Sequence, residues 1–158
     1  MHIRISILTG LLFLALAGGW LAKSIAQESS SATAATFLDH AKVSAAFAHP
    51  NFNVLFSGKS GEGNFIIMAA SRDKAGEVEV HNLDTDIFYM LSGTATLVTG
   101  GTTVEPKTTA PEEIRGKSID GGEPHRVSEG EVIVIPHGVP HWFKEVHGAL
   151  QYFVVKVH

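Results

Sequence analysis

The sequence predicts an all-β barrel or sandwich preceded by one short helix. After Pro50, short runs rich in Val, Ile, Phe and Tyr alternate with turns that contain Gly, Asp or Pro, which is typical of β-strands. The chain has 158 residues, 44% of them hydrophobic and 18% charged, which favours one compact domain over a multidomain or disordered protein. The predicted strands are residues 53–56, 64–70, 77–81, 87–91, 94–99, 131–135, 141–146 and 150–157.

Charge and cysteine content narrow the possible functions. The chain carries 12 Lys and Arg against 16 Asp and Glu, a net charge of −4, and it has no run of basic residues that could neutralise successive phosphates. We therefore expect no nucleic-acid partner. Because there are 0 cysteines, disulfides, thiolate metal sites and a cysteine nucleophile are excluded. Any metal site must use His, Asp or Glu.

Residues 1–26 have the pattern of an export signal. Arg4 supplies the positive charge, residues 5–17 form an apolar stretch, and Ser24-Ile25-Ala26 is a small-x-small cleavage site. We predict cleavage after Ala26, a periplasmic or secreted mature protein, and no membrane partner after cleavage. The alternative is an uncleaved anchor, since residues 5–22 are just long enough to cross a bilayer. Residues 27–35 are mostly Ser, Ala and Thr and predict a flexible linker.

The folded domain is expected to span residues 36–158 and to begin with a helix. Residues 36–39 resemble a capping box, and Pro50 closes the segment. The apolar stripe of this helix would contain Phe37, Leu38, Ala41 and Ala45.

The stretch 102–124 is polar and includes Gly121-Gly122 and two prolines, Pro106 and Pro111, before it ends at Pro124. We predict a long loop here, and long loops in compact domains are often lids or binding loops.

The segment GEVIVIPHGVPH, residues 130–141, carries the most specific signal in the chain. Its Gly130, Pro136, Gly138 and His141 reproduce the spacing G(X)5PxG(X)2H, so the segment resembles the second motif of the cupins. The family pattern continues with Asn, where this chain has Glu145. The resemblance implies a jelly-roll barrel, also described as a double-stranded β-helix, with a divalent metal ion inside.

Residues 79–93, EVHNLDTDIFYMLSG, are similar to the first cupin motif, G(X)5HxH(X)3–4E(X)6G. Gly93 fits the closing glycine, Asp86 stands where the family has Glu, and His81 stands at the second histidine. Glu79 takes the place of the first histidine, and Asp73 stands where the opening glycine is expected. The beginning of this motif therefore departs from the family pattern.

The strand periodicity supports the same grouping without the family. Side chains alternate along a strand, so three same-face sets can converge inside a barrel. These sets are Glu79 with His81, Asp86 with Phe88, and His141 with Phe143 and Glu145. Two imidazoles and two carboxylates in one empty hole would be electrostatically unfavourable, and a divalent cation resolves that conflict.

The inferred metal ligands are Glu79, His81, Asp86 and His141. Two nitrogens and two carboxylate oxygens suit Mn, Fe, Co, Ni or Zn. Two acids would leave the ligand shell near neutral, so the metal would attract anionic substrates less than the three-histidine site usual in the family. We assign Glu145 and His125 as candidate catalytic proton carriers, and Phe88 and Phe143 as substrate-binding walls.

The leading functional hypothesis is an exported, metal-binding cupin that acts on a small polar or phenolic molecule by oxygenase, isomerase or lyase chemistry. The alternative is a non-catalytic module that binds a sugar or another small molecule beside a degenerate metal site. A structural or storage barrel is a third option. The resemblance and the free edge strands of the barrel also imply a homodimer.

Overall fold

The computed structural model describes residues 35–60 and 63–158, which form one helix and eleven strands in one curled sheet and a small ribbon. The predicted signal peptide and nearly all of the predicted linker lie outside the described residues. The elements are α1 His40–Phe47, β1 Asn51–Ser60, β2 Gly63–Arg72, β3 Val78–His81, β4 Thr85–Thr99, β5 Thr102–Val104, β6 Lys107–Ala110, β7 Glu113–Gly116, β8 Ser118–Asp120, β9 Glu123–Ser128, β10 Val132–Ile135 and β11 His141–Val157.

Helix α1 begins later than the sequence suggested. Its N-cap is Asp39, whose carboxylate accepts a hydrogen bond of 2.8 Å from the Lys42 backbone N–H. The predicted apolar stripe is wrong, since Ala41 and Ala45 are exposed and Phe37 is 89% exposed. The helix instead contacts the sheet through Phe47, whose ring centroid lies 5.2 Å from that of Phe153 in β11.

Strands β4 and β11 are long and pair with each other along nearly their whole length. Each joins two of the predicted strands, because Gly93 in β4 and Gly148 in β11 bend the chain without ending the strand. Both glycines have left-handed φ angles, +81° and +80°.

The bends divide the sheet into two halves that face each other. The first half has the strand order β1-β2-β11-β4-β10 and uses the C-terminal part of β11. The second half has the order β6-β7-β3-β11-β4-β9 and uses the N-terminal part of β11. The core lies between the halves, where Met90, Leu97 and Leu150 are fully buried. The all-β prediction is confirmed.

The prediction of a long loop at 102–124 is wrong. Most of this stretch forms short strands: β5 pairs with β8, and β6 pairs with β7, which continues the sheet along β3. The stretch is polar because it lies at the sheet edge, where all four residues of β6 are exposed. Its threonines are β-branched and are well accommodated in strands.

In the part of the chain that the structure describes, no helix is long and apolar enough to cross a membrane.

Candidate functional site

The register between β3 and β11 brings the two predicted histidines together. His141, the first residue of β11, lies opposite Glu79 in β3, and His81 follows two residues after Glu79. The turn before β11 is fixed to the end of β3, because the Gly138 N–H donates a 2.7 Å hydrogen bond to the His81 carbonyl. Gly138 has a φ of +75°, which suits glycine. The two imidazole centroids are consequently 5.2 Å apart.

Asp86, at the start of β4, completes this group. Its Oδ2 lies 3.3 Å from His81 Nε2 and 3.7 Å from His141 Nε2. His81, Asp86 and His141 are the buried polar residues of the described chain, at 3%, 2% and 3% exposure. The structure therefore places Asp86 beside both histidines, while the group whose donor atoms all lie close together consists of Glu79, His81 and His141.

Hydrogen bonds orient both imidazoles. The Nδ1–H of His141 donates to the Val139 carbonyl at 3.2 Å, and His81 Nδ1 bonds Glu113 Oε1 at 2.8 Å. Each ring therefore directs Nε2 into the barrel, and neither Nε2 has a hydrogen-bond partner among the described residues. Histidines that bind metals are usually held in this way, with the other ring nitrogen bonded to a carbonyl or a carboxylate.

The donor atoms fit a divalent metal ion. One donor atom each from Glu79, His81 and His141 lie within 4.8 Å of one another. The gap between Glu79 Oε2 and His81 Nε2 is 3.6 Å, and the gaps to Asp86 Oδ2 are 3.3 and 3.7 Å. Metal bonds of about 2.1 Å in a tetrahedral site separate neighbouring ligands by about 3.4 Å. Glu79, His81 and His141 could therefore hold a metal ion.

Two basic side chains already neutralise the carboxylates. Arg115 Nη1 lies 2.7 Å from Glu79 Oε2, and Lys156 Nζ lies 2.8 Å from Asp86 Oδ1. The sequence-based argument that a divalent cation resolves the repulsion between Glu79 and Asp86 is therefore incomplete. It overlooked the basic residues that β7 and β11 contribute.

The buried groups influence each other's protonation. Burial alone would lower the pKa of His81, but the Asp86 and Glu79 carboxylates raise it to about 9. Burial alone would raise the pKa of Glu79, yet His81 and Arg115 hold it below its usual range. Burial lowers the pKa of His141. At neutral pH in the absence of metal, His81 is therefore the protonated imidazole of the pair, and His141 is neutral.

A cavity of about 200 Å3 adjoins the His–carboxylate group. Phe88 and Phe143, the proposed substrate walls, both line it, and their ring centroids are 5.8 Å apart. Phe52 and Tyr152 extend this aromatic wall.

The structure does not bring Glu145 and His125, the proposed proton carriers, to the cavity. The expectation that Glu145 shares a face with His141 and Phe143 is wrong, because the pairing with β4 shifts register between Phe143 and Glu145. Glu145 is exposed and accepts a 3.1 Å hydrogen bond from the Thr96 hydroxyl. His125 lies in β9, with 46% of its side chain exposed.

Sequence reasoning missed six polar residues of the cavity. Strand alternation would have found four of them: Arg72 follows the inward-facing Met68 and Ala70, Glu77 precedes Glu79 by two residues, and Tyr152 and Lys156 share one face of β11. The other two, Glu113 and Arg115, lie in the stretch that was taken for a loop.

No protein-family model matches the chain, and neither does any curated protein. Among solved structures, a protein from Bacillus halodurans is similar, with a TM-score of 0.52 and 12% identity, over 77% of this chain and 80% of that chain. An RmlC-like cupin with a double-stranded β-helix fold, from Methanocaldococcus jannaschii, has a TM-score of 0.44 and 16% identity, over 68% of this chain and 81% of that chain. A hydroquinone 1,2-dioxygenase from Sphingomonas, with 4-hydroxybenzoate bound, has a TM-score of 0.45 and 10% identity, over 60% of this chain and 59% of that chain. At these identities the likeness concerns the fold alone. The two facing half-sheets confirm the predicted all-β architecture with one short N-terminal helix.

Proposed function

We propose that the chain is an exported cupin that binds a divalent metal ion inside the barrel and acts on a small polar or phenolic molecule. Glu79, His81, Asp86 and His141 would be the metal ligands. The observation that carries this proposal is the pair of buried Nε2 atoms, on His81 and His141, that lack hydrogen-bond partners among the described residues and lie 3.3 and 3.7 Å from the same carboxylate oxygen. Buried polar atoms normally have partners, so an unpartnered pair aimed at one point favours a ligand there.

The residues around the site would prepare it for chemistry. A bound divalent ion supplies a Lewis acid that can polarise an oxygen of the substrate. Glu113 and the Val139 carbonyl hold the imidazoles in orientation, while Arg115 and Lys156 hold the carboxylates. Phe88 and Phe143 shield the reacting molecule from water. Oxygenase, isomerase and lyase chemistry are all compatible with this arrangement.

A second candidate is a binding module without catalysis, in which the metal site is degenerate. It is favoured by the ion pairs of Glu79 with Arg115 and of Asp86 with Lys156, which satisfy both carboxylates without a metal. In this case a sugar or another small molecule would occupy the cavity.

Metal removal and re-addition distinguishes these candidates. We expect protein stripped with a chelator to take up about one equivalent of Zn2+ or Mn2+ per chain. At a free metal concentration 100 times the Kd, binding to the folded state alone adds about 2.7 kcal/mol to the free energy of unfolding, which corresponds to a rise in Tm of about 10 °C. Elemental analysis and thermal unfolding measure both effects. A stoichiometry near zero with an unchanged Tm would exclude the metal site and favour the binding module.

We also propose that the mature chain is exported and forms a homodimer. Export is supported by the residue pattern of the leader. Self-association is supported by Val132 and Val134 in β10, an edge strand, which are 62% and 58% exposed, and by the neighbouring Tyr89, which is 46% exposed.

Native mass spectrometry of the protein recovered from a Gram-negative host tests these two proposals together. We expect a mature chain that starts at Gln27 and a particle that contains two chains. Retention of Met1 would contradict cleavage of the leader. A particle of one chain at micromolar concentration would contradict the dimer.

A further inference from the structure

Arg72 places a positive charge inside the cavity beside the proposed metal site. It is the last residue of β2, and 15% of its side chain is exposed. Its guanidinium carbon lies 5.2 Å from the Phe143 ring centroid and 5.7 Å from that of Phe52. These contacts hold the guanidinium by cation–π attraction.

The polar contacts of Arg72 are weak in comparison with those of the neighbouring cations. Arg115 and Lys156 have carboxylate oxygens at 2.7 and 2.8 Å. Within the described ranges, the carboxylate nearest to Arg72 belongs to Glu79, at 3.9 Å, and its side-chain hydrogen bond is a long one, 3.4 Å from Nε to the Tyr152 hydroxyl. A guanidinium has five N–H donors, so most of the hydrogen-bonding capacity of Arg72 is available to a ligand.

The backbone near Arg72 leaves space for the guanidinium. A Cβ atom at Gly76 would overlap Arg72 Nη1. Gly76 is itself fixed, because its N–H donates to the Phe143 carbonyl at 3.1 Å and its carbonyl accepts from Trp142 Nε1 at 2.7 Å. The backbone between β2 and β3 therefore helps to fix the position of the Arg72 side chain.

Charge also favours an anionic ligand. Four acidic and three basic side chains line the cavity, which with a protonated His81 has a formal charge of 0, and a divalent ion that replaces this proton would make the charge +1. The sequence analysis expected a weaker attraction for anionic substrates than at the usual three-histidine site, because it considered the ligand shell alone and omitted Arg72, Arg115 and Lys156.

We propose that Arg72, together with the Tyr152 hydroxyl, binds the carboxylate of a small substrate whose apolar body packs against Phe88 and Phe143. This proposal rests on the proposed function, since it assigns the substrate class of the same site. An arginine fork matches a carboxylate with two parallel hydrogen bonds. The cavity of about 200 Å3 is smaller than the sites of about 300–1,000 Å3 that hold drug-sized ligands, which indicates a small monocarboxylate.

The test compares benzoate with benzyl alcohol, a neutral molecule of similar shape, by ligand-observed NMR with metal-loaded and metal-free protein. We expect wild type to bind benzoate more tightly than benzyl alcohol. Arg72→Met should weaken benzoate binding about 10- to 100-fold, the value of a charged hydrogen bond, and leave benzyl alcohol within about twofold. Arg72→Lys keeps the positive charge but cannot form two parallel hydrogen bonds, so its affinity for benzoate should lie between those of wild type and Arg72→Met. Arg126→Met removes an exposed arginine of β9 and should bind benzoate like wild type.

Metal content, measured on each variant, separates the possible failures. The proposal predicts that Arg72→Met keeps the wild-type metal content and loses benzoate binding. If the variant loses both, Arg72 acts through Glu79 and direct recognition is overturned. If wild type holds metal but does not prefer benzoate, this proposal fails while the metal site stands. If wild type holds no metal but metal-free protein binds benzoate through Arg72, the proposed metal function fails and carboxylate recognition stands.

Discussion

Substitution of His141 by alanine is expected to remove the divalent metal ion from the protein. His141 is buried, and its Nε2 lies 3.7 Å from Asp86 Oδ2 with no hydrogen-bond partner in residues 35–60 and 63–158. Loss of a directly bound nitrogen should reduce affinity by more than the roughly 10–100-fold that loss of an outer hydrogen-bond partner costs. Elemental analysis after gel filtration should therefore fall from about one ion per chain to nearly none.

His147→Ala provides the matched control for this result. His147 is in the same strand, but 51% of its side chain is exposed and it lies beside Glu145 on the surface. This variant should keep the wild-type metal content. Circular dichroism of both variants shows whether the fold survives. A folded His141→Ala protein that still carries one ion per chain would contradict the assignment of His141 as a ligand.

The turn before β11 could be predicted from the sequence because its signals are local. The spacing of Gly130, Pro136, Gly138 and His141 encodes one turn and the strand on each side of it. The continuity of β4 and β11 could not be predicted in the same way. In a single sequence, a glycine between two apolar runs is interpreted as a turn that ends a strand. Gly93 instead bends a continuous strand, which becomes evident only from the partner strand β11, because β11 pairs with β4 on both sides of the glycine.

Those residues of the candidate site that follow from the alternation of side chains along one strand were predicted. Those that reach the site through pairing between distant strands were missed. Glu79 and His81 share one face of β3, and this needs only a strand to be recognised. Glu113 reaches His81 because β7 pairs with β3, which no pattern in the polar stretch indicated. The prediction for Glu145 is wrong because the pairing of β11 with β4 shifts register just before this residue, so its side chain lies on the face opposite to the one that alternation predicts.

Substitution of Gly93 by alanine is expected to destabilise the fold by about 3 kcal/mol. A left-handed φ costs a residue with a Cβ about 1–2 kcal/mol, and Gly93 has a φ of +81°. In addition, a Cβ at Gly93 would overlap the Ala149 carbonyl oxygen, and forcing extra volume into a packed site costs about 1–3 kcal/mol. Urea denaturation measures the change in the free energy of unfolding.

Gly148→Ala separates the two contributions, because Gly148 lies at the facing bend of β11 with nearly the same φ, +80°. In the described chain, a Cβ at Gly148 has no atom within 4 Å. Gly148→Ala should therefore lower the free energy of unfolding only by the conformational contribution, about 1–2 kcal/mol. The excess in Gly93→Ala then measures how closely β4 and β11 approach at the bend that joins the two half-sheets. Equal destabilisation of the two variants would show that the strands can separate there at little cost, and that the bend does not depend on the absence of a side chain at Gly93.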